Sequence, residues 1–420
     1  MRPPGRLKGK LLSAGGAVSV QFVLAGGSLV LQAAAARTLG GDGYGTYALL
    51  YGLLVLVISV QTSWVGDALT VFDRFDPRIR GALLISVAAS LVLGVTVSVA
   101  VAAWFVPAST LAVFALLTAL WILNESGRRI FTARMEFWRL AANDAANYTV
   151  TLLVLGGLGL LGHHLSLTVV FAAMCAGMTV AIVLARLRQP REEYALVPLR
   201  GSAIREVLGF SGWRSVQAGV RPLALLLARV LVAVFASKSV LGSIEAARLL
   251  LAPALTVANG SGWFFLGDFA KAQKAGTPMR ARDAVRASLT LGVVTLVIAL
   301  AALALAGPLG PVLTGGRFAV DEVALGGWAL YTVVFATTLP LSSLATARRQ
   351  SRLVFVIRAV EMSLGLLVLT ALLAVDADWA SAAPYCLSGG GIVSTVVLWV
   401  LLRRADPPAV RPFDEVQVRA

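Results

Sequence analysis

Arg214, Gln217 and Arg221 are spaced by three and four residues inside the apolar stretch 207–235, and Arg229 follows further along it. That spacing puts the first three on one face of a helix. A guanidinium in apolar surroundings needs a carboxylate or an anionic ligand, and its planar fork of donors suits bidentate contact with carboxylate or phosphate. The chemistry on offer is capture of an anion. Glu245 and Arg248 lie three apart in the stretch 240–266, with Asn259 near its far end, while Gln61, Trp64 and Asp67 repeat a three-residue rhythm in 45–71. Gln21 and Gln32 add amides in 11–36. Arg214, Gln217, Arg221, Arg229, Arg248, Asn259, Gln61 and Asp67 are therefore the candidate substrate-binding residues, and Asp67 and Glu245 the candidate proton- or sodium-coupling ones. Three roles are open to the arginines: ligand contact, structural pairing with Asp67 or Glu245, and, for Arg214 and Arg229, snorkelling from a span end.

The elements that must position these groups follow from composition. Of 420 residues, 58% are hydrophobic and only 14% charged, where a water-soluble chain carries about a quarter charged residues. A membrane-crossing helix takes about 20 to 25 residues, and long apolar runs fall at 11–36, 45–71, 81–105, 108–124, 141–161, 165–186, 207–235, 240–266, 287–306, 324–345, 353–374 and 380–402. Unbroken runs such as Ala82–Ala103 exclude barrel strands, which alternate. The expected fold is all-α: a polytopic membrane protein of about twelve transmembrane helices.

The formal charge of +15 sorts with these spans. Segments 1–10, 72–80, 125–140, 186–206, 271–286, 346–358 and 403–420 hold 29 of the 36 lysines and arginines, and the opposite loops hold only Arg37, Lys238 and Arg317. Basic loops face the cytoplasm, so both termini are expected there and the protein in a bacterial inner membrane. The basicity has a topological cause, and nucleic acid is not an expected partner. The first apolar run, 26 residues from Leu11 to Ala36, is too long for a cleaved secretory signal. Segment 125–140 reads either as an interfacial helix end or as a solvated helix extension.

Sliding the chain on itself by about 197 residues sets 11–36 over 208–233 and Tyr44–Tyr47 over Leu241–Ile244. Letters seldom coincide, but the arrangement repeats: a long helix, a short outer turn, then a helix with buried polar groups. Two six-helix bundles, 1–206 and 207–402, with a tail 403–420, are expected to meet around a central cavity.

Catalytic motifs are missing. Gly40–Gly45 lacks the dinucleotide spacing because position 46 is Thr, no phosphate-loop or H-E-x-x-H sequence occurs, and the two histidines, His163 and His164, adjoin in one turn. Cys175 and Cys386 lie in apolar runs and indicate no disulfide. No cofactor or metal is expected, and with outer loops this short an enzyme is not expected either.

The segment Arg37-Thr38-Leu39-Gly40-Gly41-Asp42-Gly43-Tyr44-Gly45-Thr46-Tyr47 resembles the first-loop signature of polysaccharide biosynthesis flippases, with a looser relative from Ala228-Arg229 through Leu241–Arg248. Ala228 stands where that signature often has an acidic residue and Ile244 where it often has tyrosine. The resemblance implies the O-antigen or oligosaccharide flippase branch of the superfamily that also holds multidrug and toxic-compound exporters, and hence a MATE-like fold. It further implies outward movement of undecaprenyl-pyrophosphate-linked oligosaccharide by alternating access. The implied partners are the lipid-linked sugar, the phospholipid bilayer, polysaccharide assembly proteins and a coupling proton or sodium ion. Export of drugs or small metabolites on an ion gradient is the competing expectation.

Overall fold

The computed structural model describes residues 5–274, 279–348 and 350–404. The first helical run, Gly5–Gln61, is broken at Gly40, whose φ of 69° and ψ of 179° suit a residue without Cβ. It yields α1 (5–39) and α2 (41–71), the latter passing through a π-helical turn at Thr62–Gly66. There follow α3 Pro77–Ala102, α4 Ala108–Ala133, α5 Phe137–Leu160, α6 Leu167–Arg188, α7 Ile204–Phe235, α8 Lys238–Leu250, α9 Ala252–Lys274, α10 Ala281–Ala304, a short α11 Ala306–Thr314, α12 Glu322–Ala347, α13 Ser351–Val375 and α14 Ala383–Arg404.

Local sequence explains the starts. Asp76 accepts from the Arg78 amide with Pro77 in the first turn, and Ser237 and Asp321 cap α8 and α12 in the same way. Between α8 and α9 the chain bends by 61° at Leu251, where Pro253 in the next turn lacks an amide to continue the ladder. Among the described residues nine helices are long and apolar enough to cross a membrane, or ten with the bent α8–α9 pair taken as one. Dividing the first run at Gly40 and adding α5, whose polar residues Asn143, Asp144 and Asn147 face inward, brings the crossings to twelve. The protein is an all-α multi-pass membrane protein.

Packing is inverted relative to a soluble chain. In α3, Ser86, Ser90, Gly94 and Ser98 recur every fourth residue and are buried, while Val92, Leu93 and Val97 are exposed. Small residues let helices approach closely, and lipid takes the apolar side chains. A Cβ on Gly94 would come within 2.8 Å of Ile122 and 2.9 Å of Val57, so α3 sits tight against α4 and α2.

Helices α1–α6 pack on one another, as do α7–α14, and the two groups meet where α2 runs against α7 and α8. Segment 125–140 holds the end of one helix, a turn and the start of the next. Helix α4 continues to Ala133, the chain turns at Met135 (φ 59°), and α5 starts at Phe137. The expected tail 403–420 lies beyond the described residues after Arg404.

Candidate functional site

A cavity of about 410 Å³ opens between the two groups of helices, lined from one side by Ser28, Gln32, Tyr51 and Ser59 and from the other by Arg221, Arg229, Arg248, Thr256 and Asn259. Its size falls in the range of small-molecule sites, about 300 to 1,000 Å³.

Glu245 organises the cationic side. Arg229 Nε donates to its Oε1 at 2.7 Å and Arg248 Nε to its Oε2 at 2.7 Å, and the Glu245 side chain is only 2% exposed. Arg248 also donates through Nη2 to Gln32 Oε1 (3.1 Å), and Gln32 donates through Nε2 to Ser28 Oγ (2.9 Å), so the pair is tied across to α1. Gly52 of α2 leaves room for Arg229: a Cβ there would lie 2.2 Å from Nη1.

Arg221 differs from both. Its Nε donates to Tyr331 Oη at 2.9 Å and its guanidinium lies 3.6 Å from the centre of the Phe335 ring, with no carboxylate in ion-pair range among the described residues. Three guanidiniums and one carboxylate thus leave two positive charges uncompensated around the cavity. Desolvated guanidiniums beside one shared acid attract an anion and repel a cation.

The remaining sequence candidates lie away from this cavity. Arg214 Nη2 pairs with Asp67 Oδ2 at 2.7 Å, joining α7 to α2 at a half-exposed position. Gln217 donates to the Ser351 carbonyl (3.2 Å), and Gln61 to Ser126 Oγ (3.1 Å). The structure therefore brings Arg221, Arg229, Arg248 and Asn259 to one cavity, puts Glu245 behind it, and sets Arg214, Gln217, Gln61 and Asp67 elsewhere. Tyr331 and Phe335 on α12 were not among the candidates; aromatic residues in an apolar run carry no sequence signal that separates a cation-binding ring from core.

A second charged centre was also missed. Glu125 accepts from Arg128 Nη1 (2.5 Å), Arg129 Nε (2.7 Å) and Thr62 Oγ1 (3.1 Å), while Arg128 Nε donates to Asp144 Oδ1 (2.8 Å), stitching α4 to α5 and to the π-turn of α2. The signal was Glu125 three and four residues before Arg128 and Arg129, which looked cytoplasmic because the apolar run ends at 124. Glu361 stands 4.0 Å from Arg358. Among the described residues no group of three or more His, Cys, Asp or Glu side chains is arranged to hold a metal.

No family model matches the sequence, and no curated protein matches it. Solved structures do. The chain is similar to a multidrug resistance MATE family transporter of the MOP superfamily in its outward-facing conformation, at TM-score 0.64 and 13% identity over 93% of this chain and 94% of that one. The inward-facing conformation of such a transporter matches at TM-score 0.60 and 12% identity, covering 92% and 94% of the two chains. A MOP superfamily transporter from Pyrococcus furiosus, described as having a binding pocket of reverse polarity that suggests a different function, matches at 0.62 and 13%, covering 94% and 95%. At these identities the likeness is one of fold, and the fold is that of the MATE transporters, two bundles of membrane helices.

These matches correct the flippase resemblance. These three solved structures, which align over more than nine-tenths of the chain, comprise two of MATE multidrug transporters and one of a MOP superfamily transporter, and none is described as a polysaccharide flippase, so lipid-linked oligosaccharide falls as cargo and as partner, and polysaccharide biosynthesis falls as role. The physical reason lies in the first loop itself. Tyr44 and Tyr47 are fully buried, and Gly41 and Gly45 meet the start of α8. The buried tyrosines and close-packed glycines of the signature shape a helix contact.

Proposed function

We propose that the protein exports small organic molecules bearing an acidic group across a bacterial inner membrane by alternating access. The observation that carries the reading is the cationic lining: among the described residues, Arg221, Arg229 and Arg248 share one cavity with Glu245 as their single carboxylate partner, and Arg221 has none in ion-pair range. The reverse-polarity description of the Pyrococcus furiosus transporter is in keeping with a scaffold whose pocket charge varies with cargo.

In this reading the moving bodies are 1–206 and 207–402, the basic ends of the helices and both termini face the cytoplasm, and the anion enters from that side. Arg221, Arg229, Arg248 and Asn259 contact the cargo. Asp67 and Arg214 close the cytoplasmic end between α2 and α7, with Gln217 and Gln61 bracing the helices beside them. Outward passage of one net negative charge gains about 2.3 kcal/mol per 100 mV of inside-negative potential. Glu245 holds Arg229 and Arg248 in place and sets how much positive charge is left for the cargo.

Direct binding to the purified protein tests the cargo class. A fluorescent organic sulfonate or carboxylate should bind and be displaced by other organic anions, whereas lipophilic cations of equal size should neither bind nor compete. Preferential binding of the cations would overturn the reading.

A further inference from the structure

Arg80, in the first turn of α3, is 9% exposed, yet its guanidinium makes no hydrogen bond or ion pair among the described residues. It faces a pocket of about 510 Å³ that is separate from the central cavity and enclosed by α2, α3, α4 and α6 with the turn at 191–196. Glu193, which also lines the pocket, is near enough to favour the charge of Arg80 but makes no direct contact with it, and it is shared with two other arginines. Glu193 is held by Arg74 (2.9 Å) and Arg134 (3.4 Å).

The rest of the pocket divides into a cationic end and an apolar wall. Arg74 and Arg186 join Arg80, with the Arg186 guanidinium 3.7 Å from the Tyr194 ring centre. Leu84, Val87, Leu123 and Ile182 form the wall, and Leu123 and Leu196 are exposed, so the pocket opens toward the lipid-facing surface.

We infer that this pocket binds one acidic phospholipid from the leaflet on the basic side of the protein. The phosphate diester sits against Arg80 with Arg186 at the rim, and an acyl chain lies along Leu84, Val87 and Ile182. Basic pockets between membrane helices on the cytoplasmic side are suited to anionic headgroups. The site lies within 1–206 and does not depend on the nature of the cargo.

Native mass spectrometry of the full-length protein in mild detergent tests this with phosphatidylglycerol, phosphatidylcholine of the same chains, and inorganic phosphate. Wild type should retain one phosphatidylglycerol about tenfold more tightly than phosphatidylcholine, and Arg80→Gln should abolish the preference. Arg186→Gln should weaken it, and this rim variant decides the matter if Arg80→Gln is not recovered folded. Inorganic phosphate should fail to displace the lipid, because it cannot use the apolar wall. Equal retention of both lipids, an unchanged preference in the variants, or displacement by phosphate alone would overturn the inference.

Discussion

Gly45 on α2 touches the backbone of Lys238 at the start of α8 so closely that a Cβ at position 45 would lie 1.8 Å from the Lys238 carbonyl oxygen. The contact is reciprocal, since a Cβ on Gly242 would lie 2.1 Å from the Gly41 carbonyl. Two helices from different halves of the chain therefore meet backbone to backbone, and Arg317 Nη1 donates across the same end to the Thr38 carbonyl (2.7 Å). Neither carbonyl belongs to a flexible side-chain tip, so no rotamer change relieves the clash. Gly45→Ala and Gly242→Ala should each force the halves apart at this end and destabilise the conformation described here by about 1 to 3 kcal/mol. The check is thermal unfolding together with thiol labelling of a cysteine placed at the buried Leu241: labelling should accelerate in both variants. Unchanged melting and labelling would mean that the interface has slack which this geometry denies.

Glu245→Gln should separate folding from binding. Removing the one carboxylate between Arg229 and Arg248 leaves two buried guanidiniums unpaired, at a cost of about 3 to 5 kcal/mol. The same change raises the positive charge of the cavity, so an organic anion should bind about tenfold tighter and recover much of the lost melting temperature. Titration of the purified variant with a fluorescent anion measures both. Weaker anion binding in a folded variant would show that Glu245 contacts cargo directly and is not simply a counter-charge.

Arg221→Gln should have the opposite profile. With a hydroxyl and an aromatic ring for partners, its loss costs folding only about 0.5 to 2 kcal/mol, so membrane abundance should stay near normal. Anion transport should fall at least tenfold, read as flux per folded protein. Disappearance of the folded protein, with no separable transport defect, would make Arg221 a structural residue.

In the N-terminal half, Asp144→Asn should act on stability alone. It strips Arg128 of one of its two carboxylates in a buried cluster, for a loss of about 3 to 5 kcal/mol. Accumulation in the membrane and melting should drop, while the preference for anions over cations among the molecules that do fold should be unchanged.

Much of the fold was legible in the sequence because lipid imposes one rule on every residue of a span. Runs such as Ala82–Ala103 need only their length to be read, and the four-residue recurrence of Ser86, Ser90, Gly94 and Ser98 marks the inward face of α3. The ends were less legible. Helix α4 runs nine residues past the apolar stretch because Glu125, Arg128 and Arg129 neutralise one another and Asp144, and hydropathy sees their charges but not their pairing. Arg221, Arg229 and Arg248 stood out as charges in apolar surroundings, yet the sequence could not show that two share Glu245 and that the third rests on Tyr331 and Phe335. The first loop misled for a related reason. Gly41 and Gly45 are fixed by a close helix contact and Tyr44 and Tyr47 are buried, a constraint that transporters of different cargo on one scaffold can share.

The central claim, that the cationic cavity carries organic anions, is tested most directly by flux. Proteoliposomes holding the protein and loaded with a fluorescent organic anion should release it when an inside-negative potential is imposed, and release should be lost with Arg221→Gln. A lipophilic cation of similar size should be retained. Release of the cation in preference to the anion, with no effect of Arg221→Gln, would contradict the account.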